Sequence, residues 1–210
     1  MKQGFTVAIC SVGEVKPLLL AHHYLSQKSK GFRSGVNVGL YKEGELVGCA
    51  IFTNFPVPEV VVGVFGLQRH EQQGMYELSR FCLSPSEEHN LASWFLAKAI
   101  KFLRANYAVR ALLSYADTGY HLGTLYQAYG FNYYGLTAIK KDWKKDNAAL
   151  ANSRGCTGEG RWVPRTQKHR YLISYDKTLK VLWAQQPYPK RGTLDLVKLA
   201  ETKLTNMLIL

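Results

Sequence analysis

The feature that most constrains the fold is the alternation of strand-like and helix-like segments over the first two thirds of the chain. Two apolar-rich runs between Gly39 and Phe52 flank Glu43-Gly44, where glycine supplies the positive φ of a tight hairpin. The full order is strand, helix, hairpin, strand, helix, strand, helix, strand, which predicts an α/β fold with a mixed sheet and helices on its faces.

The bounds of these elements follow from hydrophobic periodicity and from glycine, proline and capping residues. Strands are predicted at 5–12, 75–83, 111–116 and 131–138, and again at 171–175 and 179–183. Helices are predicted at 16–27 with Pro17 in the first turn, at 90–106 with Asn90 as the cap, in a short run ending at Gly130, and at 194–206. Residues 63–74 are expected to form an irregular connection.

Composition limits the class of protein. With 210 residues, 47% of them hydrophobic and 20% charged, the chain is expected to fold as one compact domain, and wholesale disorder is excluded. A chain of this length buries enough surface to hold its core without disulfides or metals, and the four cysteines lie far apart without Cys-x-x-Cys spacing. No signal peptide or bilayer-spanning run is recognisable, which predicts a cytoplasmic protein that does not enter membranes.

Positive charge is concentrated in one part of the sequence. Residues 1–139 carry 12 Lys/Arg against 9 Asp/Glu, whereas residues 140–191 carry 13 against 4. So dense a basic stretch, interleaved with tryptophans, favours binding to nucleic acid, with solubility by net charge as the alternative. We therefore divide the chain into a core, 1–139, and a basic extension, 140–210, that completes the sheet and contacts double-stranded DNA. Its candidate DNA ligands are Lys140, Lys141, Lys144, Lys145, Arg165, Lys168 and Arg170.

Ligands bind beyond the carboxyl ends of strands in open α/β sheets, so polar residues there are candidates for a site. Arg80 lies in the strand at 76–83, where alternation predicts that it shares a face with Leu78 and Cys82 and lies opposite Glu77. A guanidinium among apolar neighbours needs an anionic partner. That partner is either an acidic side chain in a structural ion pair or a bound anionic ligand.

Two further candidates follow the next strand. Asp117 ends the strand at 111–116 and either accepts a proton or caps the following turn. Tyr126, on the short helix, is either a core residue or an acid, and His121 in the intervening loop is a second group able to transfer protons. No Walker loop, zinc-deaminase signature or nucleophile elbow is present, and His22-His23 has no further metal ligand at the usual spacing.

Together these segments resemble the core of the GNAT acyltransferases. The likeness lies in the hairpin at 41–48, the strand at 76–83, the helix at 90–106 and the run from Leu125-Tyr126 to Gly130-Phe131. The sequence resembles the Mom family more closely, over about residues 16–138. The shared segments, in order, are His23-Tyr24-Leu-Ser26, Glu77-Leu-Ser-Arg80, Ser114-Tyr-Ala-Asp117 and Gly123-Thr-Leu-Tyr-Gln-Ala128.

The resemblance carries expectations about chemistry. Mom-like proteins add a carbamoylmethyl group to the exocyclic amine of adenine in phage DNA, which protects it from host restriction enzymes. By this likeness Arg80, Asp117 and Tyr126 are the catalytic set, and His23 and Tyr24 contact DNA. The tyrosine at the position of Tyr126 in GNAT enzymes often protonates the departing thiolate of coenzyme A.

The GNAT likeness also implies a donor site. Backbone amides at Asn90, Leu91 and Ala92 would bind the pyrophosphate of acetyl-coenzyme A or a related acyl donor. The turn at 87–92 departs from the glycine-rich GNAT pattern, because it has no glycine and two glutamates. Plain acyl transfer would also yield an amide, whereas a carbamoylmethyl group is attached through carbon.

We therefore expect a phage-encoded, anti-restriction transferase that acts on DNA adenine with a small-molecule group donor. The sequence identifies no metal site. Two alternatives remain. An ordinary GNAT N-acetyltransferase would bind coenzyme A and act on a protein or small-molecule amine without binding DNA. A non-catalytic DNA-binding protein would keep its biological effect after Asp117 and Tyr126 were removed.

Overall fold

The computed structural model describes residues 2–24, 32–55, 58–86, 88–145, 148–149 and 160–190, so Cys156 and the helix predicted at 194–206 lie outside the described residues. The helices are α1 Val12–His22, α2 Pro58–Phe65, α3 Leu91–Asn106 and α4 Thr124–Tyr129, with a 3-10 turn at Arg69–Glu71. The strands are β1 Phe5–Ile9, β2 Val36–Lys42, β3 Glu45–Asn54, β4 Met75–Leu83, β5 Ala111–Asp117, β6 Asn132–Leu136, β7 Lys140–Lys145, β8 Ala148–Ala149, β9 Arg161–Arg165 and β10 Lys168–Ser174.

Seven strands form the main sheet in the order β1-β2-β3-β4-β5-β10-β6, and β8-β7-β9 form a smaller one. The pair β4–β5 is parallel and the other pairs of the main sheet are antiparallel. Helices cover both faces, which confirms the predicted α/β class with a mixed sheet. The apolar stripe of α3 packs on one face, and α1 and α2 pack on the other. No helix among the described residues is long and apolar enough to cross a membrane.

The first helix starts earlier than its hydrophobic pattern predicts. Ser11 and Glu14 form a capping box, in which the Glu14 amide donates to Ser11 Oγ (3.2 Å) and the Ser11 amide donates to the Glu14 carboxylate (2.8 Å). The helix therefore begins at Val12 and ends at His22. Pro17 lies inside it, and the prediction that placed Pro17 in the first turn is wrong.

Two other local predictions also fail. The proline-rich connection after β3 contains α2, which places Val61 and Val64 in the core and was missed because its eight residues show little polar contrast. The segment at 179–183 forms no strand. It runs along α2 instead, with the Leu182 amide donating to the Val64 carbonyl at 2.7 Å.

Candidate active site

The site forms where the two parallel strands separate. Pairing between β4 and β5 ends at Leu78 and Ser114, although β4 continues to Leu83 and β5 to Asp117. Beyond that point β5 stays paired on its other edge with β10. The gap between β4 and β5 opens a cavity of about 330 Å³, whose walls come from β4, β5, β10, α4 and the end of α1. The polar lining residues that matter most are His23, Tyr24, Glu77, Arg80, Tyr126 and Lys168.

A β-bulge in β4 decides which side chains enter this cavity. Leu78 pairs with Phe52 and Arg80 pairs with Ile51, so Ser79 is an extra residue between two consecutive partners. The Ser79 hydroxyl donates to the Ile51 carbonyl at 3.1 Å and holds the bulge.

The bulge overturns the predicted alternation along this strand. Leu78 packs in the core beneath α3, whereas Cys82 packs against α1, with its Sγ 4.0 Å from the Leu18 carbonyl. The prediction that Leu78 shares a face with Arg80 and Cys82 is therefore wrong, whereas Arg80 and Cys82 do share one. Arg80 lies on the face of Glu77, because strand alternation restarts after the extra residue.

Glu77 is the most perturbed acid in the cavity. Burial raises its pKa to about 7, against the opposing attraction of Lys168, Arg80 and Arg33. Its Oε2 is buried, and no hydrogen bond reaches it from the described residues. A carboxylate that changes charge near neutral pH suits proton transfer at the operating pH of a cell.

Arg80 provides the positive charge beside it. Its Nη1 donates to the Ser79 carbonyl at 2.7 Å, and its Nε is buried without a partner among the described residues. Burial lowers the pKa of the guanidinium, and the neighbouring Tyr24 and Glu77 oppose that shift. Arginine side chains stay charged in proteins, and Arg80 lines the cavity.

Tyr126 lies at the apex of the gap. It is only 7% exposed, and its hydroxyl is hydrogen-bonded to Ser114, whose own Oγ donates to the Leu78 carbonyl at 3.2 Å. Burial raises the pKa of the phenol, so the hydroxyl keeps its proton at neutral pH. Gly123 begins this helix with φ +78°, and a Cβ there would lie 2.5 Å from Cε2 of Tyr171. Only glycine lets α4 approach closely enough to place Tyr126 here.

Aromatic rings form the rim of the cavity. Tyr24 stacks on Tyr120 with ring centroids 4.1 Å apart and on His23 at 4.9 Å. Burial, and secondarily the charge of Arg80, lowers the pKa of His23 to about 4, so it is neutral at physiological pH. The fold thus brings His23 and Tyr24, which were expected to contact DNA, to the same cavity as Arg80 and Tyr126.

Comparison with known protein families supports the resemblance that the sequence segments indicated. A sequence profile described as the Mom protein family matches residues 4–190. The chain belongs to the Mom protein family. No curated protein matches it.

Several acetyltransferases are among the solved structures similar to this Mom-family chain. A protein assigned as a phosphinothricin N-acetyltransferase is 13% identical with a TM-score of 0.51, and the alignment covers 82% of this chain and 99% of that one. An assigned acetyltransferase from Acinetobacter baylyi ADP1 is 15% identical with a TM-score of 0.50, over 81% and 91%. A GNAT family acetyltransferase from Elizabethkingia anophelis, solved with acetyl-CoA bound, is 17% identical with a TM-score of 0.48, over 82% and 99%. At such low identities the first two establish the GNAT-like fold alone.

Asp117 does not line the cavity of this Mom-family protein. Its Oδ1 accepts the Gly119 amide at 2.9 Å, and its Oδ2 accepts the Thr166 hydroxyl at 3.0 Å. Both oxygens are thus engaged in holding the turn after β5 and the start of β10, as the capping interpretation expected. The structure brings Arg80 and Tyr126 together in the cavity lining, whereas Asp117 is not among the lining residues.

Two of the expected DNA ligands, Lys168 and Arg170, do not lie on an open basic surface. Lys168 lines the cavity, with Nζ 5.9 Å from the centroid of the Tyr115 ring, and burial lowers its pKa. The half-buried guanidinium of Arg170 lies 4.3 Å from the ring centroid of Trp183. Both belong to β10, whose insertion between β5 and β6 the sequence did not reveal.

The remaining basic candidates lie on the small sheet. Lys140, Lys141 and Arg165 are exposed there, whereas the side chains of Lys144 and Lys145 lie outside the described residues. Arg161 is an exposed cation of the same sheet that sequence reasoning missed. Arg161 joins the other cations only because β9 pairs with β7, and the sequence alone does not reveal that pairing.

The backbone amides of the turn before α3 were expected to bind the pyrophosphate of coenzyme A. Asn90 is the N-cap residue of α3, as predicted, but it has φ +56° and its side chain makes no capping hydrogen bond. The Leu91 amide donates to the Glu88 carbonyl at 3.2 Å, and the Leu91 side chain is buried in the core. The Glu88 carboxylate is 3.2 Å from Lys2 Nζ.

This turn does not fit a pyrophosphate cradle as folded. One of its three predicted amides is already bonded within the turn, and a carboxylate stands beside them. Glu87 lies outside the described residues. The gap between β4 and β5 does offer an unpaired strand edge to an extended donor. Among the described residues no group of three or more His, Cys, Asp or Glu is placed to hold a metal.

Proposed function

We propose that this chain is a DNA-modifying transferase that adds a carbamoylmethyl-type group to the exocyclic amine of adenine in phage DNA and so protects it from host restriction. One observation carries the proposal. The Mom family match covers residues 4–190, and three segments within it, at 77–80, 114–117 and 123–128, border a single cavity at the separation of β4 and β5. That cavity holds an acid, a base and a cation.

The chemistry needs a base, because the adenine amine is a weak nucleophile whose lone pair is delocalised into the ring. As the amine nitrogen forms a bond to the activated carbon of the donor, the bond from that carbon to the leaving group breaks. Glu77 takes the proton that the amine loses, since its pKa of about 7 leaves it partly ionised at cellular pH. Tyr126 gives its proton to the leaving group.

Arg80 and Lys168 supply positive charge around this proton exchange. Both are half-buried in the cavity lining, and the pKa of Glu77 responds to both. An anionic part of the donor would bind the unpaired guanidinium donors of Arg80, since charge-assisted hydrogen bonds are the stronger kind. Asp117 acts as a positioning residue, because its carboxylate holds the start of β10, which carries Lys168.

The target base must leave the DNA stack to reach this cavity, which costs a few kcal/mol. The aromatic rim would repay part of that cost, because a flipped purine stacks on tyrosine rings. Tyr120 is 44% exposed at the rim and stacks on Tyr24, which lines the cavity. An adenine that enters past these rings would bring its exocyclic amine towards Glu77.

A second function is favoured by the fold alone. An ordinary N-acetyltransferase would use the same strand gap for an acyl donor and act on a protein or small-molecule amine. The turn at 88–91 argues against it, because its amide and carboxylate contacts compete with a pyrophosphate.

Restriction digestion separates these functions. Plasmid DNA from cells that express the protein should resist endonucleases whose sites contain adenine, and plasmid from cells with an empty vector should be cut. The Tyr126→Phe protein, confirmed to be folded, is the matched control and should leave the plasmid sensitive. Full sensitivity of plasmid from wild-type expression would contradict the proposed function.

A further inference from the structure

The small sheet is a two-stranded ribbon over most of its described length, because β8 pairs only with Lys144 and Lys145 at one end of β7. Its strands β7 and β9 pair antiparallel from Lys140↔Arg165 to Lys144↔Arg161. They continue directly from β6 and into β10, so the ribbon is an extension of the β6–β10 pair beyond the main sheet. We name this element, residues 140–145 and 161–165, the basic ribbon.

The register of the basic ribbon sorts its side chains onto two faces. Residues directly opposite in an antiparallel pair point to the same side, and neighbours along a strand alternate. Lys140, Arg161 and Arg165 therefore share one face with Asp142 and Val163. The other face carries Lys141 and an aromatic pair, Trp143 and Trp162, whose ring centroids are 5.4 Å apart.

The face with Lys140, Arg161 and Arg165 contains an unfavourable pair of like charges. Lys140 stands directly opposite Arg165, and like charges in that position destabilise a strand pair. Asp142, 3.6 Å from Arg165, is the only acid on this face within the described residues of the ribbon. Lys140, Arg161 and Arg165 are all exposed, so a polyanion lying along the face would relieve the repulsion.

The base of the ribbon is fixed to the wall of the cavity. Thr166, next to Arg165, donates to Asp117 at 3.0 Å, and the Thr118 amide donates to the Gln167 carbonyl at 3.1 Å. Lys168, two residues further, lines the cavity itself. A polyanion held on the ribbon is therefore held beside the cavity mouth.

We propose that the basic ribbon docks in the major groove of duplex DNA, with the face of Lys140, Arg161 and Arg165 turned to the DNA. The major groove is about 12 Å wide and admits a two-stranded ribbon, whose strands lie about 4.8 Å apart. This inference rests on the proposed function, whose substrate it delivers: the ribbon fixes the duplex and the flipped adenine enters the adjacent cavity.

Fluorescence anisotropy with a labelled adenine-containing duplex tests the inference. The variant Lys140→Gln/Arg161→Gln/Arg165→Gln should bind more weakly, and its slope of log affinity against log salt should fall by about 2–3, since each phosphate contact contributes roughly 0.9. The control Lys16→Gln/Lys101→Gln/Lys177→Gln removes equal charge from exposed positions elsewhere and should bind like the wild type. The charge-retaining variant Lys140→Arg/Arg161→Lys/Arg165→Lys should keep the wild-type slope, which guards against misfolding as the cause.

Groove choice is tested with two competitors. Methyl green, which occupies the major groove, should displace the protein, whereas netropsin, which occupies the minor groove, should not. Displacement by netropsin alone, tighter binding to the single strand than to the duplex, or equal losses in the ribbon and control variants would each overturn the inference. Those results would leave the proposed function standing if wild-type expression still yields modified adenine, and absence of modified adenine would instead defeat the proposed function.

Discussion

Glu77 and Arg80 lie three residues apart on β4, and the bulge at Ser79 puts their side chains in the same cavity. Without the extra residue, a spacing of three would send them to opposite faces of the sheet. Glu77 keeps an unpaired buried oxygen and Arg80 an unpaired buried nitrogen. An anionic group of the donor would bind the Arg80 nitrogen, and the exocyclic amine of the target adenine would donate to the Glu77 oxygen.

The first prediction concerns the pH dependence of modification. Because the pKa of Glu77 is about 7, the rate at limiting substrate should rise with pH through that value as the carboxyl group ionises. Glu77→Gln should reduce the rate by roughly 10²–10⁴-fold and remove this rise. Purified protein assayed from pH 5.5 to 8.5 would show it. A Glu77→Gln protein with the wild-type profile would exclude Glu77 as the base.

The second prediction concerns stability. The folded protein holds the Glu77 proton more tightly than the unfolded chain, whose carboxyl pKa is 4.5. The free energy of unfolding should therefore fall as pH rises from about 4.5 through 7. Glu77→Gln should remove that fall and gain on the order of 1–3 kcal/mol relative to the wild type between pH 4.5 and 8. Urea denaturation at both pH values measures it, with the exposed Glu45→Gln as the unchanged control.

The third prediction distinguishes positioning from proton transfer at Asp117. Asp117→Asn keeps an acceptor for the Gly119 amide and a partner for Thr166, so modification should stay within about 10-fold of the wild type. Thr166→Val removes the Thr166–Asp117 contact that the Asn variant keeps, so it should lower modification at least as much as Asp117→Asn. A loss of 10²–10⁴-fold from Asp117→Asn alone would instead make Asp117 the base.

The fourth prediction concerns the turn before α3. Glu88 faces Lys2 at 3.2 Å and stands next to the amides that a pyrophosphate would need. Millimolar coenzyme A should therefore raise the melting temperature of Glu88→Gln by more than that of the wild type, because a repelling charge is removed and Lys2 is released. A smaller rise in Glu88→Gln than in the wild type would show that the carboxylate does not oppose the ligand.

Much of this fold could be read from the sequence, because hairpin, helix and strand signals agreed along residues 36–54 and 75–136. The site was harder. A bulge such as that at Ser79 depends on the partner strand, so period-two alternation alone put Arg80 on the opposite face from Glu77. Lys168 and Arg170 looked like surface cations until β10 was found between β5 and β6. The ribbon likewise depends on pairing across residues 146–160, which local sequence does not encode.

The central claim is that the cavity between β4 and β5 modifies adenine in DNA. The most direct measurement is mass analysis of nucleosides digested from the DNA of cells that express the wild type, Tyr126→Phe, Glu77→Gln or the double variant. We predict an adenine nucleoside heavier by a carbamoylmethyl group from the wild type, and losses of roughly 10²–10⁴-fold from each single variant. The double variant should be little worse than the worse single, because residues that act as a unit are not additive. Wild-type levels of the modified nucleoside from a folded double variant, or none from the wild type, would contradict the account.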